Sequence, residues 1–206
     1  SYFPCLIDAA RSPNMYDEPE IPLKELLSAL QKERDNLHGS YADIAQMFKE
    51  ICEHPEKSWV HPVFVAGLSD LSAPNGLGKA RNAGWRFLVQ HGSKRNYAVE
   101  LEPNPKGDGY AFAELDKGPF IDGMCDVLEN TEIAEKIHSG KFKLTVLRLN
   151  AMRIYALWLR SDKPAKDIII VIPPGPAYLK TWPDVYNIKG FESALKTAAK
   201  RMVKMN

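Results

Sequence analysis

Apolar residues in the first part of the chain recur at intervals of three and four, the spacing of amphipathic helices. Two such stripes lie on either side of Gly39: Leu23, Leu26, Leu27, Leu30 and Leu37 form the first, and Tyr41, Ile44, Phe48, Ile51 and Cys52 form the second. Pro22 occupies a favoured first-turn position before the first stripe. Ser40 and Asp43 resemble a capping box before the second. The pattern predicts a helical hairpin over residues 23–54.

Downstream of this hairpin the apolar period shortens to two, as in strands that bury one face. A short strand leads into a glycine-rich loop over residues 67–84. Residues 85–90 and 97–102 then alternate between apolar and polar side chains, and the alternation predicts a β-hairpin connected by residues 91–96. Residues 110–115 continue the series as a further strand.

The stretch 141–160 is β-like throughout, but as one straight strand it would extend roughly 66 Å at about 3.3 Å per residue. We therefore expect a turn, and Asn150 with Ala151 is the favoured place for it. The alternation slips near Val146 and Leu147, which indicates a bulge.

Three more segments complete the pattern. A helical stripe follows Gly118 and Pro119, a continuous apolar run over residues 168–172 is typical of a strand buried on both faces, and a helix closes the chain. The stripe of this terminal helix consists of Phe191, Leu195, Ala198, Ala199, Met202 and Val203.

The strands come in runs instead of alternating with helices, which favours an α+β fold. We expect a mostly antiparallel sheet packed by the N-terminal helical hairpin, a central helix and a C-terminal helix. Residues 1–22 are rich in proline and aperiodic, which predicts a surface arm. Residues 23–206 are predicted to form a single α+β domain, with the hairpin over 23–54 and a sheet-rich body over 59–206.

Composition narrows the class of protein further. The 206 residues include 27 basic and 26 acidic side chains, a net charge of +1, so nucleic acid is an unlikely partner for this chain. Cys5, Cys52 and Cys125 lack the paired spacing of a zinc or redox site. No apolar run approaches the length of a membrane span. We expect a soluble, cytoplasmic protein with no metal and no cofactor.

The glycine-rich loop is the first candidate for binding. It carries Lys79 and Arg81 close to Trp85, but its glycines precede a strand, whereas a phosphate cradle needs them before a helix. An ordinary surface loop is therefore favoured over a phosphate site, and the three residues remain candidates for a recognition edge.

Catalytic candidates are weaker. Cys125 falls near the apolar stripe of its helix, which favours a buried thiol over a nucleophile, and the same reasoning makes Cys52 a core residue. Glu100 and Glu102 share one face of a strand, where paired carboxylates could serve acid–base chemistry, although a solvent-facing strand explains them better. The histidines show no spacing typical of a metal site.

Aromatic residues supply the remaining candidates. Most tryptophans and tyrosines should fill the space between sheet and helices. Trp182 and Tyr186 lie in a proline-rich loop before the last helix and are the pair least explained by core packing. We expect a non-enzymatic binding module with an aromatic, proline-rich recognition surface for a protein or small-molecule ligand. The alternative is a hydrolase or transferase whose site is assembled from residues distant in sequence.

Overall fold

The computed structural model describes residues 20–91 and 95–205, so the predicted arm lies almost entirely outside the described residues, as does Gly92 of the hairpin connection. The chain divides into two compact units. It passes from the first unit to the second within β1 (Trp59–Val65), after His61, and returns within β2 (Arg81–His91), after Gly84. The second unit resumes at Lys117. The prediction of a single domain stays a prediction.

The first unit packs a helical hairpin against antiparallel strands. The helices are α1 (Leu23–Asn36) and α2 (Ala42–Glu53), and β2 continues into β3 (Arg95–Pro103) and β4 (Tyr110–Asp116). Both strand pairs are antiparallel, with Trp85 opposite Leu101 and Phe87 opposite Val99. These four residues share a hydrophobic core with Leu26, Leu30, Phe48 and Ile51 from the two helices.

The second unit is built from the remaining strands and helices. Val63–Val65 of β1 pairs in parallel with β5 (Lys143–Leu149), and β6 (Ile154–Arg160), β7 (Ile168–Val171) and β8 (Tyr186–Asn187) follow with antiparallel pairing. Its helices are α3 (Leu68–Ser72), α4 (Pro119–Glu129), α5 (Thr131–His138) and α6 (Ile188–Met205). Phe191, Leu195 and Ala199 of α6 are buried against the strands.

These elements confirm the α+β fold class. The strand pairing is mostly antiparallel, and the N-terminal helices, the central helix and the C-terminal helix are all present. The turn expected at Asn150 and Ala151 is confirmed as a 3-10 turn that ends before Arg153, whose φ of 53° is left-handed. None of the described helices combines the length and the apolar character needed to cross a bilayer.

The bulge expected near Val146 and Leu147 is wrong. β5 pairs with β6 in continuous register from Lys143 opposite Arg160 to Leu149 opposite Ile154. Val146 and Leu147 are both fully buried, so the run of apolar residues reflects a strand covered on both faces and not an extra residue. The register shift that the structure does contain lies between β3 and β4, at Glu100 and Leu101.

Two local predictions are also corrected. Ser40 does not cap α2, because it lies inside a 3-10 turn, Gly39–Tyr41, and Tyr41 is the N-cap residue without a side-chain hydrogen bond. The loop expected over residues 67–84 instead contains α3 and the 3-10 turn Leu77–Lys79.

Candidate functional site

The three residues of the predicted recognition edge have different surroundings. Lys79 ends a 3-10 turn and Arg81 begins β2, and both are exposed. Trp85 is only 1% exposed, because its indole lies on the face of β2 that the α1–α2 hairpin covers, and its Nε1 donates to the hydroxyl of Tyr110 at 3.2 Å. Trp85 therefore has almost no surface to offer a ligand.

Trp182 and Tyr186 are both half-buried and are held by specific contacts. The backbone N–H of Lys180 donates to the Tyr186 hydroxyl at 2.7 Å, and the Tyr186 ring packs on Phe191 with centroids 5.6 Å apart. The backbone N–H of Trp182 donates to the carbonyl of Val171 at 2.9 Å. The two aromatic residues predicted to bind a ligand thus connect the segment between β7 and α6 to both elements.

The same segment leaves other apolar side chains in contact with solvent. Tyr178 is 47% exposed and Val185 is 53% exposed, and Val203 near the end of α6 is 47% exposed. The sequence pattern does not identify Tyr178 and Val185, because they lie outside the periodic segments. Val203, expected on the apolar stripe of the terminal helix, is instead exposed in the structure.

A groove of about 550 Å³ lies between Tyr178 and one face of α6. The helix contributes small side chains at intervals of three and four residues, namely Gly190, Ser193, Ala194, Thr197 and Ala198. Arg201 and Met202 extend the same face toward the end of the helix. The groove is open to solvent along much of its surface.

A second, smaller pocket of about 320 Å³ lies between α6 and the turn that follows α3. Its polar residues include Asn75 from the turn and Lys189, Glu192 and Lys196 from the helix, and Ser193 lines both concavities. Gly76 of this turn is required for packing, since a Cβ there would lie 2.7 Å from the carbonyl oxygen of Asp70.

Charge is concentrated on α6. The helix carries five basic residues (Lys189, Lys196, Lys200, Arg201 and Lys204) and one acidic residue, Glu192, a net charge of +4. All five cations are exposed, and none forms an ion pair with another described residue. Their charges are therefore directed toward solvent.

The titratable groups most strongly affected by burial lie elsewhere. His61 is fully buried, and burial together with the nearby positive charge of Arg86 lowers the pKa of the imidazole to about 3. Arg86 pairs with Glu100 at 2.7 Å, and both side chains are nearly inaccessible. The solvent-facing interpretation of Glu100 is therefore wrong. Glu102 is exposed, so the two carboxylates do not form a pair on one surface.

Cys125 is buried on α4, as predicted. Burial, followed by the negative charges of Glu129, Asp122 and Asp126, raises the pKa of its thiol to about 12. A thiol that stays protonated at neutral pH is a poor nucleophile. Cys52 is half-buried, packs against the core of the first unit and points its Sγ at the carbonyl of Leu27, 3.7 Å away.

Within residues 20–91 and 95–205, the structure brings no three metal-ligating side chains together. His61 and Cys125, which have the most displaced pKa values, line neither the 550 Å³ groove nor the 320 Å³ pocket. In the 550 Å³ groove, burial raises the pKa of the Tyr178 phenol.

Sequence reasoning missed the groove residues Tyr178, Ser193 and Thr197 as a set. The available signal was the recurrence of small residues along the terminal helix from Gly190 to Ala198, next to its apolar stripe. The small residues mark the part of the helix that lacks bulky side chains. That Tyr178 lines the same groove is evident only in the folded chain. No protein-family model matches this chain, and no curated protein sequence or solved structure does so either.

Proposed function

We propose that the protein is a non-enzymatic interaction module and that the groove between Tyr178 and α6 receives an apolar side chain of a protein partner. The observation that carries this proposal is the groove itself, whose rim includes an exposed aromatic ring and whose floor consists of small side chains. Anchor residues of protein partners typically occupy pockets of this kind.

Tyr178 is also one of the exposed large apolar residues near the end of the chain. Of the five large apolar side chains that stay exposed among the described residues, Tyr178, Val185 and Val203 come from the last 29 positions of the chain. Of these three, only Tyr178 lines the groove, and single exposed apolar residues such as Val185 and Val203 are ordinary on a protein surface.

The predicted site residues have distinct parts in this proposal. Trp182 and Tyr186 hold the segment that presents Tyr178, and neither of them lines the groove. Lys79 and Arg81 remain candidates as exposed cations of the second unit, whereas buried Trp85 takes no part. A reducing, cytoplasmic location belongs to the proposal too, and the free thiols of Cys52 and Cys125 are compatible with it.

Selection of peptides on the intact chain tests the proposal. A random peptide library displayed on phage is panned against the immobilised protein, and the affinities of selected peptides are measured by fluorescence anisotropy. We expect selected peptides to share an apolar residue and to lose about tenfold or more in affinity, roughly 1.4 kcal/mol, with Tyr178→Ala. Thr197→Trp, which fills the groove from an exposed position, should have a similar effect.

Tyr41→Ala is the matched control, because Tyr41 is an equally exposed tyrosine (55%) of the first unit. Selected peptides that bind all three variants as tightly as the wild type would rule out this groove. Turnover of generic ester, phosphate or glycoside substrates by the purified protein would instead favour the hydrolase or transferase alternative.

A further inference from the structure

We infer that the partner segment bound at the groove is acidic, an apolar anchor flanked by aspartate or glutamate side chains. This inference rests on the proposed function, because it names the chemistry of the occupant of the same groove. It is carried by the charge of α6, which the proposed function does not use.

The charge of α6 is opposite to that of the rest of the chain. The helix holds 5 of the 27 basic residues and 1 of the 26 acidic residues. The remainder therefore carries 22 basic and 25 acidic residues, a net charge of −3, against +4 on the helix. A small positive total thus conceals a cationic surface on this one element.

The helix dipole does not account for these cations. A positive side chain stabilises a helix terminus within the last turn only. Because α6 extends to Met205, only Lys204 belongs to that turn, whereas Lys196, Lys200 and Arg201 precede it. The dipole therefore does not account for Arg201, whereas Lys196 and Lys200 are ordinary exposed lysines.

The position of Arg201 relative to the groove gives this cation a role in binding. Arg201 lines the groove, and Lys204 follows Thr197 by seven residues and Arg201 by three, so helical spacing puts all three on one side of α6. Glu192, the only acidic residue of the helix, lines the smaller pocket and not the groove. An anion beside the apolar anchor would meet cations without an opposing carboxylate from this helix.

An acidic peptide fits this arrangement better than a nucleic acid does. Nucleic-acid binding requires several phosphates to be neutralised along an extended surface, whereas here one arginine lines a groove that is otherwise formed by small and apolar side chains. A guanidinium can hold a carboxylate by two parallel hydrogen bonds, which gives a peptide a defined orientation.

Three synthetic peptides with one shared apolar anchor, tryptophan or leucine, test the inference on the full chain. Their flanking positions carry Asp and Glu, the isosteric Asn and Gln, or Lys, and binding is followed by fluorescence anisotropy at low and high salt. We expect the acidic peptide to bind about tenfold more tightly than the amide peptide at low salt, and the difference to shrink at high salt. Arg201→Glu should reverse the preference toward the lysine peptide.

Lys24→Glu is the control, since it changes the net charge equally at an exposed position of α1. It should keep the acidic preference, and circular dichroism checks that both variants fold. Equal binding of the acidic and amide peptides would overturn the inference while leaving the proposed function intact. Binding of none of the three would overturn both. An oligonucleotide that binds more tightly than the acidic peptide and depends equally on Arg201 would also overturn the inference.

Discussion

Arg86 and Glu100 face each other across β2 and β3, where Nη2 of the guanidinium lies 2.7 Å from Oε2 of the carboxylate. Desolvating the two charges is costly, and their mutual attraction offsets that cost only while both are present. Glu100→Gln should therefore lower the free energy of unfolding by about 3–5 kcal/mol, measured by urea denaturation. Replacing both residues by apolar ones, Arg86→Met with Glu100→Leu, should recover much of the loss.

Lys136→Ala provides the comparison for this prediction, because Lys136 pairs with Glu132 at the helix surface. Its urea midpoint should stay close to that of the wild type, since exposed pairs contribute little. A Glu100→Gln protein that is as stable as the Lys136→Ala protein would show that the buried pair is not needed for stability.

His61 makes the stability of the protein depend on pH in a defined direction. Burial and the charge of Arg86 lower the pKa of the imidazole from 6.5 to about 3, and neither Nδ1 nor Nε2 has a hydrogen-bond partner among the described residues. Between these two pH values the unfolded chain binds a proton that the folded chain does not. The contribution of His61 is therefore complete above pH 6.5 and is lost as the pH falls, by about 1 kcal/mol per pH unit.

Urea denaturation at a series of pH values from 7 down to 4 measures this slope. We expect His61→Gln to have a shallower dependence than the wild type, whatever its absolute stability. His38→Gln, at an exposed position, should keep the slope of the wild type. If the free energy of unfolding depends on pH equally in the wild type and in His61→Gln, His61 takes up its proton equally in the folded and the unfolded state.

At the scale of secondary-structure elements, the close packing of the turn after α3 depends on the absence of a side chain at Gly76. A Cβ at Gly76 would lie 2.7 Å from the carbonyl oxygen of Asp70 and 2.8 Å from Cα of Leu71, both backbone atoms that cannot move aside independently. Gly76→Ala should therefore destabilise the protein by about 1–3 kcal/mol, the usual cost of overpacking.

Gly107→Ala is the matched substitution, because a Cβ there would meet only the Asn104 side chain at an ordinary distance of 3.7 Å. Thermal denaturation followed by circular dichroism compares the two. Equal melting temperatures for Gly76→Ala and Gly107→Ala would show that the turn adjusts to the added methyl group and that packing does not require a glycine at position 76.

Most of the elements could be predicted from the sequence, because most helices and strands show their own period. The five-residue helix α3 and the two-residue strand β8 could not, since they are too short to show one. The burial of both faces of β2 and β3 could not be predicted. The alternation places Arg86 and Glu100 on a solvated face, whereas the structure buries both faces at these positions. The hairpin register would have revealed two opposite charges directly across from each other. The groove required still more, because Tyr178 meets α6 only through the folding of the intervening segment.

At the scale of the whole molecule, the chain crosses between the two units within β-strands. Two of the three passages between them occur within strands, after His61 in β1 and after Gly84 in β2. Each of these two strands continues from one unit into the other. We therefore expect the chain to unfold as one cooperative domain, as the sequence predicts.

Native-state hydrogen exchange of a destabilised variant tests this expectation. Leu77 is 1% exposed in the core of the second unit, so Leu77→Ala should cost about 2–5 kcal/mol. In one cooperative domain, the substitution should lower the free energy of opening, derived from hydrogen exchange, by the same amount for the most protected amides of both units, such as those of Val99 and Leu147. Val203→Ala, at an exposed position of α6, should change neither. Loss of protection at Leu147 with Val99 unchanged would instead establish that the second unit unfolds by itself.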